Sequence, residues 1–219
     1  MIAIELGDGR STTATHYPAS QAVGVLLVLA HGAGAGQNHP FMVNTAKGLA
    51  ARGIDVVTFD FAYMHAKRGA PDKAPALEAC FRRVIDTARG LPGMGNRRLF
   101  IGGKSMGGRM ATHLAAQHQP DVAGVVVLGY PLHPPGAPDK LRVAHLPDIT
   151  VPVLIIQGEG DVFGTPAELE PHVKTMRALV TLHPVPGADH SLTVRSKRGA
   201  DVFEGILTTI ADWMKPPSR

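Results

Sequence analysis

The sequence has little cysteine, and its basic residues are not interleaved with aromatic ones; the first absence excludes two kinds of site and the second argues against one kind of partner. Cys80 is the only cysteine among 219 residues, so an internal disulfide and a metal site built from several cysteines are both ruled out. Lysine and arginine outnumber aspartate and glutamate by 22 to 18, but the basic residues are scattered. The densest basic group, Arg195, Lys197 and Arg198, contains no aromatic residue. We therefore interpret it as solvated surface and predict no nucleic-acid partner.

The chain also lacks long apolar runs. Its first residues, MIAIELGDGRS, have neither a basic start nor an extended apolar stretch, so we expect no secretory signal peptide. No segment of the sequence is apolar over the length that a bilayer-spanning helix requires. We therefore predict a cytoplasmic protein with no membrane partner. A hydrophobic content of 44% over this length suits one globular domain covering residues 1–219.

Short, β-branched apolar runs alternate along the chain with segments of helical period. This alternation predicts an α/β fold with a mostly parallel, doubly wound sheet and helices on both faces. The first residues, around the turn GDGR, predict an antiparallel hairpin at one edge of the sheet. The predicted central strands are 23–32, 54–61, 97–105, 122–131, 152–161 and 179–187. The predicted helices are 40–53, 75–89, 106–117 and 199–214.

A glycine-rich segment, GGKSMGGR (102–109), lies at the predicted boundary between a strand and a helix. Residues 103–107 match G-x-S-x-G, which in this context places a serine on a sharp, strained turn at the end of a strand. The glycines two positions before and after Ser105 allow the close backbone approach that such a turn needs. We predict Ser105 as a nucleophile, with a packed serine in a glycine-rich turn as the alternative. Gly108, one residue further into the helix, is expected to tolerate alanine better than Gly107 tolerates valine.

A nucleophilic serine needs a general base, and the base needs an orienting acid. Asp161 ends one later predicted strand and His190 follows the next, which places both at the sheet edge where catalytic groups gather. We predict Asp161 as the acid and His190 as the base. Asp60, at the end of an earlier strand, is the alternative acid. In the non-catalytic alternative, Asp161 caps the helix that starts near Pro166 and His190 is a surface residue.

The segment HGAGAG (31–36) follows the first central strand and is rich in small residues. Such residues leave backbone N–H groups open to a substrate, so we predict the Ala33 N–H as one oxyanion donor, with Gly34 second. The Met106 N–H, at the start of the helix after Ser105, is the other predicted donor. A phosphate-binding turn is the alternative, but the segment lacks the lysine and hydroxyl residue of a Walker A loop and the spacing of a dinucleotide fingerprint. We therefore predict no cofactor.

Four motifs, spread over nearly the whole chain, are together similar to those of a known enzyme family. The sequence resembles an α/β-hydrolase-fold serine hydrolase of the dienelactone hydrolase-like branch. A further motif, GYPLHPPG (129–136), is similar to a smaller clade of that branch whose members include subunits of chromatin complexes. The four motifs are HGAGAG (31–36), GGKSMGGR (102–109), QGEGDVFG (157–164) and GADHSL (187–192).

The resemblance implies an α/β-hydrolase fold without a large cap domain, and a site with Ser105 as nucleophile, Asp161 as acid and His190 as base. It also implies Ala33 and Met106 as oxyanion donors. Dienelactone hydrolases proper have a cysteine at the elbow where this chain has serine, so the resemblance does not name dienelactone as the substrate. Hydrolysis of a small carboxylic ester is the predicted reaction, with a small acyl compound as the partner. The alternatives are a non-catalytic interaction module, or a thioesterase, acyltransferase or peptidase on the same triad.

Several remaining residues have simpler expected roles. We expect Cys80 to pack in the core, because it shares a helix with apolar residues. Lys104 and Arg109, on either side of the elbow serine, are expected to face solvent or to pair with carboxylates, with attraction of an anionic substrate as the alternative. The proline-rich segment 131–152 is expected to form one wall of the pocket. No group of histidines has a spacing that indicates a metal, so we predict no metal site.

Overall fold

The structure, a computed structural model, describes residues 1–118, 121–194 and 199–215. The basic group formed by Arg195, Lys197 and Arg198 lies outside these residues. Across the described ranges, no helix combines the length and the apolar character needed to cross a membrane.

A single, mostly parallel sheet runs through the described residues. Its eight strands are β1 (Ile2–Glu5), β2 (Ser11–Tyr17), β3 (Val25–Ala30), β4 (Ile54–Phe59), β5 (Arg98–Lys104), β6 (Val122–Leu128), β7 (Val153–Gly158) and β8 (Val180–Val185). They are ordered β1-β2-β4-β3-β5-β6-β7-β8. The hairpin of β1 and β2 lies at one edge and joins β4 in antiparallel fashion, and all other neighbours are parallel. The predicted fold class and the edge hairpin are confirmed.

The helices alternate with the parallel strands as the sequence pattern predicts. They are α1 (Pro40–Ala51), α2 (Ala62–His65), α3 (Ala74–Arg89), α4 (Met106–Ala116), α5 (Pro166–Val173) and α6 (Gly199–Met214), with a 3₁₀ turn at Leu146–Asp148. The four predicted helices agree with α1, α3, α4 and α6 to within two residues at each end. The four-residue α2 was not predicted, because a single turn is too short to show a helical period.

Helices cover both faces of the sheet, and alternate side chains of β3 pack against helices on opposite faces. Leu26 and Val28 pack into the apolar cluster formed with α3 and α4. Leu27 and Leu29, which point to the opposite face, pack into the cluster formed with α1 and α6. Every residue of β3 is buried, which explains why its sequence is a continuous apolar run and not an alternating one.

The order of the strands creates a crevice at the centre of the sheet. From β3 the chain passes through α1 to β4 on one side, and it later returns to place β5 on the other side of β3. The segments that follow β3 and β5 therefore leave the sheet beside each other, at the point where the direction of winding changes. In open α/β sheets this is where ligands bind. Ala30 and Gly103 are register partners at this end; Ala30 directly precedes the motif at 31–36, and Gly103 belongs to the motif at 102–109.

Candidate active site

Ser105 lies on the sharp turn between β5 and α4, in a backbone conformation that few residues adopt. Its φ and ψ angles are 51° and −115°. A positive φ in a residue other than glycine is strained and is often associated with a functional site. Two backbone hydrogen bonds hold the turn: Ser105 N–H donates to Leu128 O at 3.0 Å, and Arg109 N–H donates to Ser105 O at 3.0 Å.

The glycines around Ser105 are required because other backbone segments lie against them. A Cβ atom at Gly103 or at Gly107 would lie 2.6 Å from the carbonyl oxygen of Ala30, at the end of β3. Real Cβ atoms do not come so close to a backbone oxygen, so a side chain at either position would displace the turn. The expectation for Gly108 is wrong, since its Cβ would lie 2.6 Å from Gly103 O. The first turn of α4 packs directly on β5 and leaves no space there.

The structure brings Ser105, His190 and Asp161 into one chain of hydrogen bonds. His190 Nε2 lies 2.9 Å from Ser105 Oγ, and His190 Nδ1 lies 2.7 Å from Asp161 Oδ2. A carboxylate can only accept, so Nδ1 carries the proton and Nε2 is free to accept the serine hydroxyl. Asp161 is 2% exposed and the His190 side chain 19%, so the acid is enclosed while the base reaches the surface.

Buried groups fix the Asp161 carboxylate from two further directions. Its Oδ1 accepts the Phe163 N–H at 2.8 Å, and its Oδ2 accepts the Gln157 amide at 2.9 Å. The Gln157 amide also donates to Gly164 O at 2.6 Å, and Gln157 Oε1 accepts the Tyr130 N–H at 2.7 Å. Asp161 therefore does not cap α5, whose N-terminus is capped by Thr165. Sequence reasoning missed Gln157, although a lone polar residue in the apolar run 152–158 was a visible sign.

His190 lies in the loop after β8, and contacts on two sides set its position. The Phe163 ring packs against the imidazole, with the ring centroids 4.2 Å apart. Within the loop, the Asp189 carboxylate accepts the Ser191 N–H at 2.8 Å and the Thr193 N–H at 3.3 Å. These local bonds shape the loop and present the imidazole to Ser105.

Lys104 has an environment that the sequence did not predict. Its ammonium donates a hydrogen bond to the backbone carbonyl of His190 at 2.5 Å. The prediction that Lys104 faces solvent or pairs with a carboxylate is therefore wrong. Burial lowers the pKa of Lys104 to about 8, while the nearby charges of Asp161 and Asp189 act in the opposite direction.

The turn 31–36 is held by side chains that orient its peptide groups. His31 is fully buried; its Nε2 accepts the Phe61 N–H at 3.0 Å, and its Nδ1 lies 2.6 Å from Gly32 O. Burial lowers the pKa of His31, so the ring is neutral and donates from Nδ1 to Gly32 O. Because a trans peptide directs its N–H opposite to its C=O, this bond turns the Ala33 N–H away from His31.

Asp60, the alternative acid, belongs to this turn and not to the hydrogen-bonded chain. Its Oδ1 accepts the Gln37 N–H at 2.7 Å, and its Oδ2 accepts the Gln37 side-chain amide at 3.2 Å. A Cβ atom at Gly36 would lie 2.5 Å from Asp60 Oδ1, so the carboxylate fills the space beneath the turn. The geometry therefore does not support Asp60 as the partner of His190. The Tyr63 hydroxyl completes this support by donating to Ala33 O at 2.8 Å.

A cavity of about 400 Å³ opens over Ser105. Its walls are the turn 32–35, the start of α1, Lys104 beside Ser105, and Phe163 with the His190 loop. The segment 131–152 does not line it, so the expectation that this segment forms a wall is wrong. Its Leu146 and Ile149 are buried in the cluster under α4, which draws the segment away from the cavity. In the described ranges, no group of three or more histidine, cysteine, aspartate or glutamate side chains is arranged to hold a metal ion.

Two other residues near α3 and α4 were assigned roles from the sequence. Cys80 is 2% exposed and lies in the apolar cluster, so the prediction of core packing is confirmed. Burial raises the pKa of its thiol to about 11, which keeps it protonated and unreactive. Arg109, on α4, is half-buried, and its Nε has no hydrogen-bond partner among the described residues.

Comparison with known proteins agrees with this architecture. A family model described as an alpha/beta hydrolase domain matches residues 23–215. A dienelactone hydrolase from Anabaena variabilis is 19% identical, with a TM-score of 0.74 over 97% of this chain and 94% of that chain. An α/β serine hydrolase without a lid from Xanthomonas campestris is 19% identical, with a TM-score of 0.77 over 100% and 95%. A Butyrivibrio proteoclasticus protein solved with ferulic acid bound is 16% identical, with a TM-score of 0.77 over 96% and 97%.

Proposed function

The chain belongs to the α/β-hydrolase family, and we propose that it is a serine hydrolase that cleaves small carboxylic esters through an acyl-enzyme on Ser105. The observation that carries the proposal is the continuous hydrogen-bonded chain from Asp161 through His190 to Ser105, at 2.7 and 2.9 Å. These distances lie within the range needed for proton transfer between a nucleophile and its base.

In the proposed reaction, His190 Nε2 takes the Ser105 proton as the hydroxyl oxygen attacks the ester carbonyl. Asp161 accepts the Nδ1–H throughout, so that it keeps the ring in the required tautomer and stabilises the imidazolium that forms. The same imidazolium then protonates the departing alcohol. Water, deprotonated by His190, attacks the acyl-enzyme and releases the carboxylic acid.

The negative charge that develops on the ester carbonyl oxygen needs hydrogen-bond donors on the side of Ser105 that faces away from His190. The Met106 N–H is the first of α4, and the first N–H groups of a helix have no acceptor within it. The Ala33 N–H, turned away from His31, is the second proposed donor. Both are backbone groups on anchored segments, so they require little rearrangement when the charge appears.

The cavity supports a small substrate. Phe41, Met42 and Phe163 line it, and its volume of about 400 Å³ suits a short or aromatic acyl group. The Butyrivibrio relative in fold was solved with a small aromatic acid, which is consistent with a ligand of this size in the same architecture. We therefore propose a small-molecule ester as the partner. For the location we propose the cytoplasm, which is the expectation from the sequence. Thioester, amide and acyl-transfer reactions on the same three residues are the chemical alternatives.

The test is covalent labelling with a fluorophosphonate, which reacts with activated serines. We expect the wild-type protein to be labelled and Ser105→Ala to be unlabelled, as read by mass spectrometry and a fluorescent gel. Cys80→Ser is the matched control and should be labelled like wild type, because the thiol is buried. A folded Ser105→Ala variant labelled at the wild-type rate would overturn the assignment. A folded wild-type protein that resists the label would support the non-catalytic interaction module.

A further inference from the structure

Lys104 connects the strand of the nucleophile to the loop of the base. Its backbone ends β5, directly before Ser105, and its ammonium reaches the carbonyl oxygen of His190 at 2.5 Å. Gly129 leaves the room for this contact: a Cβ atom there would lie 2.9 Å from Lys104 Nζ and 3.1 Å from His190 O. A side chain at position 129 would therefore crowd the contact between Lys104 and His190.

An ammonium in such a place is costly to the fold. Burying a charged group is unfavourable unless hydrogen bonds and opposite charges compensate for the lost water. Here the compensation comes from the His190 carbonyl, in a charge-assisted hydrogen bond, and from the more distant carboxylates of Asp161 and Asp189. An apolar side chain would avoid this cost, which points to a role for the charge at the site.

The contact from Lys104 attaches the loop at His190 itself. The bonds from the Asp189 carboxylate to Ser191 and Thr193 are local, so they shape the loop without determining its distance from Ser105. On either side of His190, the loop is held by Ala188, whose carbonyl accepts the Gly160 N–H at 2.9 Å, and by Leu192, which has a φ of 58° and is buried in the cluster formed with α1 and α6. The long-range bonds at His190 are those from its ring to Asp161 and Ser105 and from Lys104 to its carbonyl.

We propose that Lys104 is a positioning residue, whose ammonium anchors the His190 backbone and so keeps His190 Nε2 within hydrogen-bond distance of Ser105 Oγ. The proposal rests on the proposed function of Ser105 and His190. Lys104 also lines the cavity over Ser105, and in this proposal its ammonium acts on the reaction through the His190 backbone. A displacement of a catalytic group by about 1 Å can reduce the rate by roughly a hundredfold, so one such anchor has a large effect.

The anchor also makes the rate depend on pH. The charged and titratable groups that face Lys104 are Asp161 from the loop after β7, and Asp189 and His190 from the loop after β8. Among Lys104 and these three groups, the Lys104 amine is the one that ordinarily loses its proton in the alkaline range. As Lys104 loses its charge, the bond to His190 O changes from charge-assisted to neutral and weakens. We expect activity to decline above about pH 8.

The experiment compares wild type with Lys104→Met, Lys104→Arg and the control Lys47→Met, an exposed lysine on α1. The readouts are hydrolysis of p-nitrophenyl acetate and the rate of fluorophosphonate labelling, from pH 6 to 10, with the melting temperature at each pH. For Lys104→Met we expect kcat to fall by about 10- to 100-fold, with KM changed by less than about threefold and no alkaline decline. Lys104→Arg keeps a charged donor and should recover activity that persists above about pH 8. Lys47→Met should behave as wild type.

Two results would overturn the proposal. One is a folded Lys104→Met variant with the wild-type kcat and the wild-type alkaline decline. The other is an unchanged kcat with a raised KM for a monoester of succinate but not for the acetate ester, which would make Lys104 a substrate-binding residue. Amide hydrogen exchange in residues 188–194 separates this proposal from the proposed function. It should be faster in Lys104→Met whether or not the protein hydrolyses esters, and equal exchange would count against the anchor.

Discussion

Two imidazole–carboxylate pairs lie near helix α4, and only one of them has the surroundings of a catalytic site. At the carboxyl ends of the strands, His190 Nδ1 lies 2.7 Å from Asp161 Oδ2. On α4 itself, His113 Nδ1 lies 3.0 Å from Glu78 Oε1 of the neighbouring α3. The two pairs have the same chemistry at the first ring nitrogen.

The pairs are alike in their support as well. Each carboxylate accepts a second hydrogen bond from a glutamine amide at 2.9 Å, from Gln157 in one case and from Gln117 in the other. The resemblance ends at the second ring nitrogen. His190 Nε2 meets Ser105 Oγ beside a cavity, whereas His113 Nε2 is buried without a hydrogen-bond partner in the described residues. An oriented histidine is thus ordinary, and its function depends on what its other nitrogen faces.

The strongest test of this comparison removes each imidazole in turn. His190→Ala should lower kcat for a short-chain ester by about 10⁴-fold or more, because the serine loses its proton acceptor. His113→Ala should leave kcat within about threefold of wild type and lower the melting temperature instead, since the two sites have no shared partner. Stopped-flow or steady-state kinetics and thermal melting measure both effects. Comparable losses of kcat in two folded variants would show that the pairs are functionally coupled.

The two glutamines provide a finer test. Gln157→Leu should lower kcat by roughly tenfold, because Asp161 loses a hydrogen bond that helps to aim it at His190. It should also destabilise the fold by about 1–3 kcal/mol, since the Tyr130 N–H and Gly164 O lose a buried partner. Gln117→Leu, at an exposed position, should leave kcat unchanged. If Gln157→Leu has a lower melting temperature but retains the wild-type kcat, then Gln157 supports the fold without positioning Asp161.

The smallest expected effect is a loss of stability at acidic pH, caused by His145, which lies beside the pair of His113 and Glu78. The His145 ring lies 4.0 Å from that of His113, and burial, together with the charges of His113 and Arg109, lowers the pKa of His145 to about 3. Between that value and its ordinary pKa of about 6.5, the unfolded chain binds more protons than the folded one. The free energy of unfolding therefore falls as the pH decreases from about 6.5.

We expect the wild-type melting temperature to drop between pH 6.5 and pH 5, with His145 contributing on the order of a few degrees. His145→Gln cannot take up this proton, so its melting temperature should decrease less over the same interval. Calorimetry at several pH values measures the difference. Parallel curves for the two proteins would place the acid sensitivity elsewhere.

The arrangement of strands and helices and the place of Ser105 could be predicted because both follow from local rules. Continuous apolar runs indicate strands buried on both faces, and a serine between glycines at a strand–helix boundary indicates a strained turn. Asp161 and His190 were candidates for the same reason, because residues that follow parallel strands meet at one edge of the sheet. The shared edge brings these residues into one region but does not by itself set their hydrogen bonds, since Asp60 follows a parallel strand at the same edge and pairs with Gln37 instead.

Tertiary packing decided which side chains support these groups. Lys104 ends β5 and Asp60 directly follows β4, yet their partners, His190 O and Gln37, lie 86 and 23 residues away along the chain. The same holds for the lack of space at Gly108 and for segment 131–152, which buries Leu146 under α4 instead of lining the cavity. Local sequence specifies backbone conformation and the face on which a residue lies. The direction of a long polar side chain depends on which distant backbone groups remain unpaired within its reach, and only the folded chain brings those groups together.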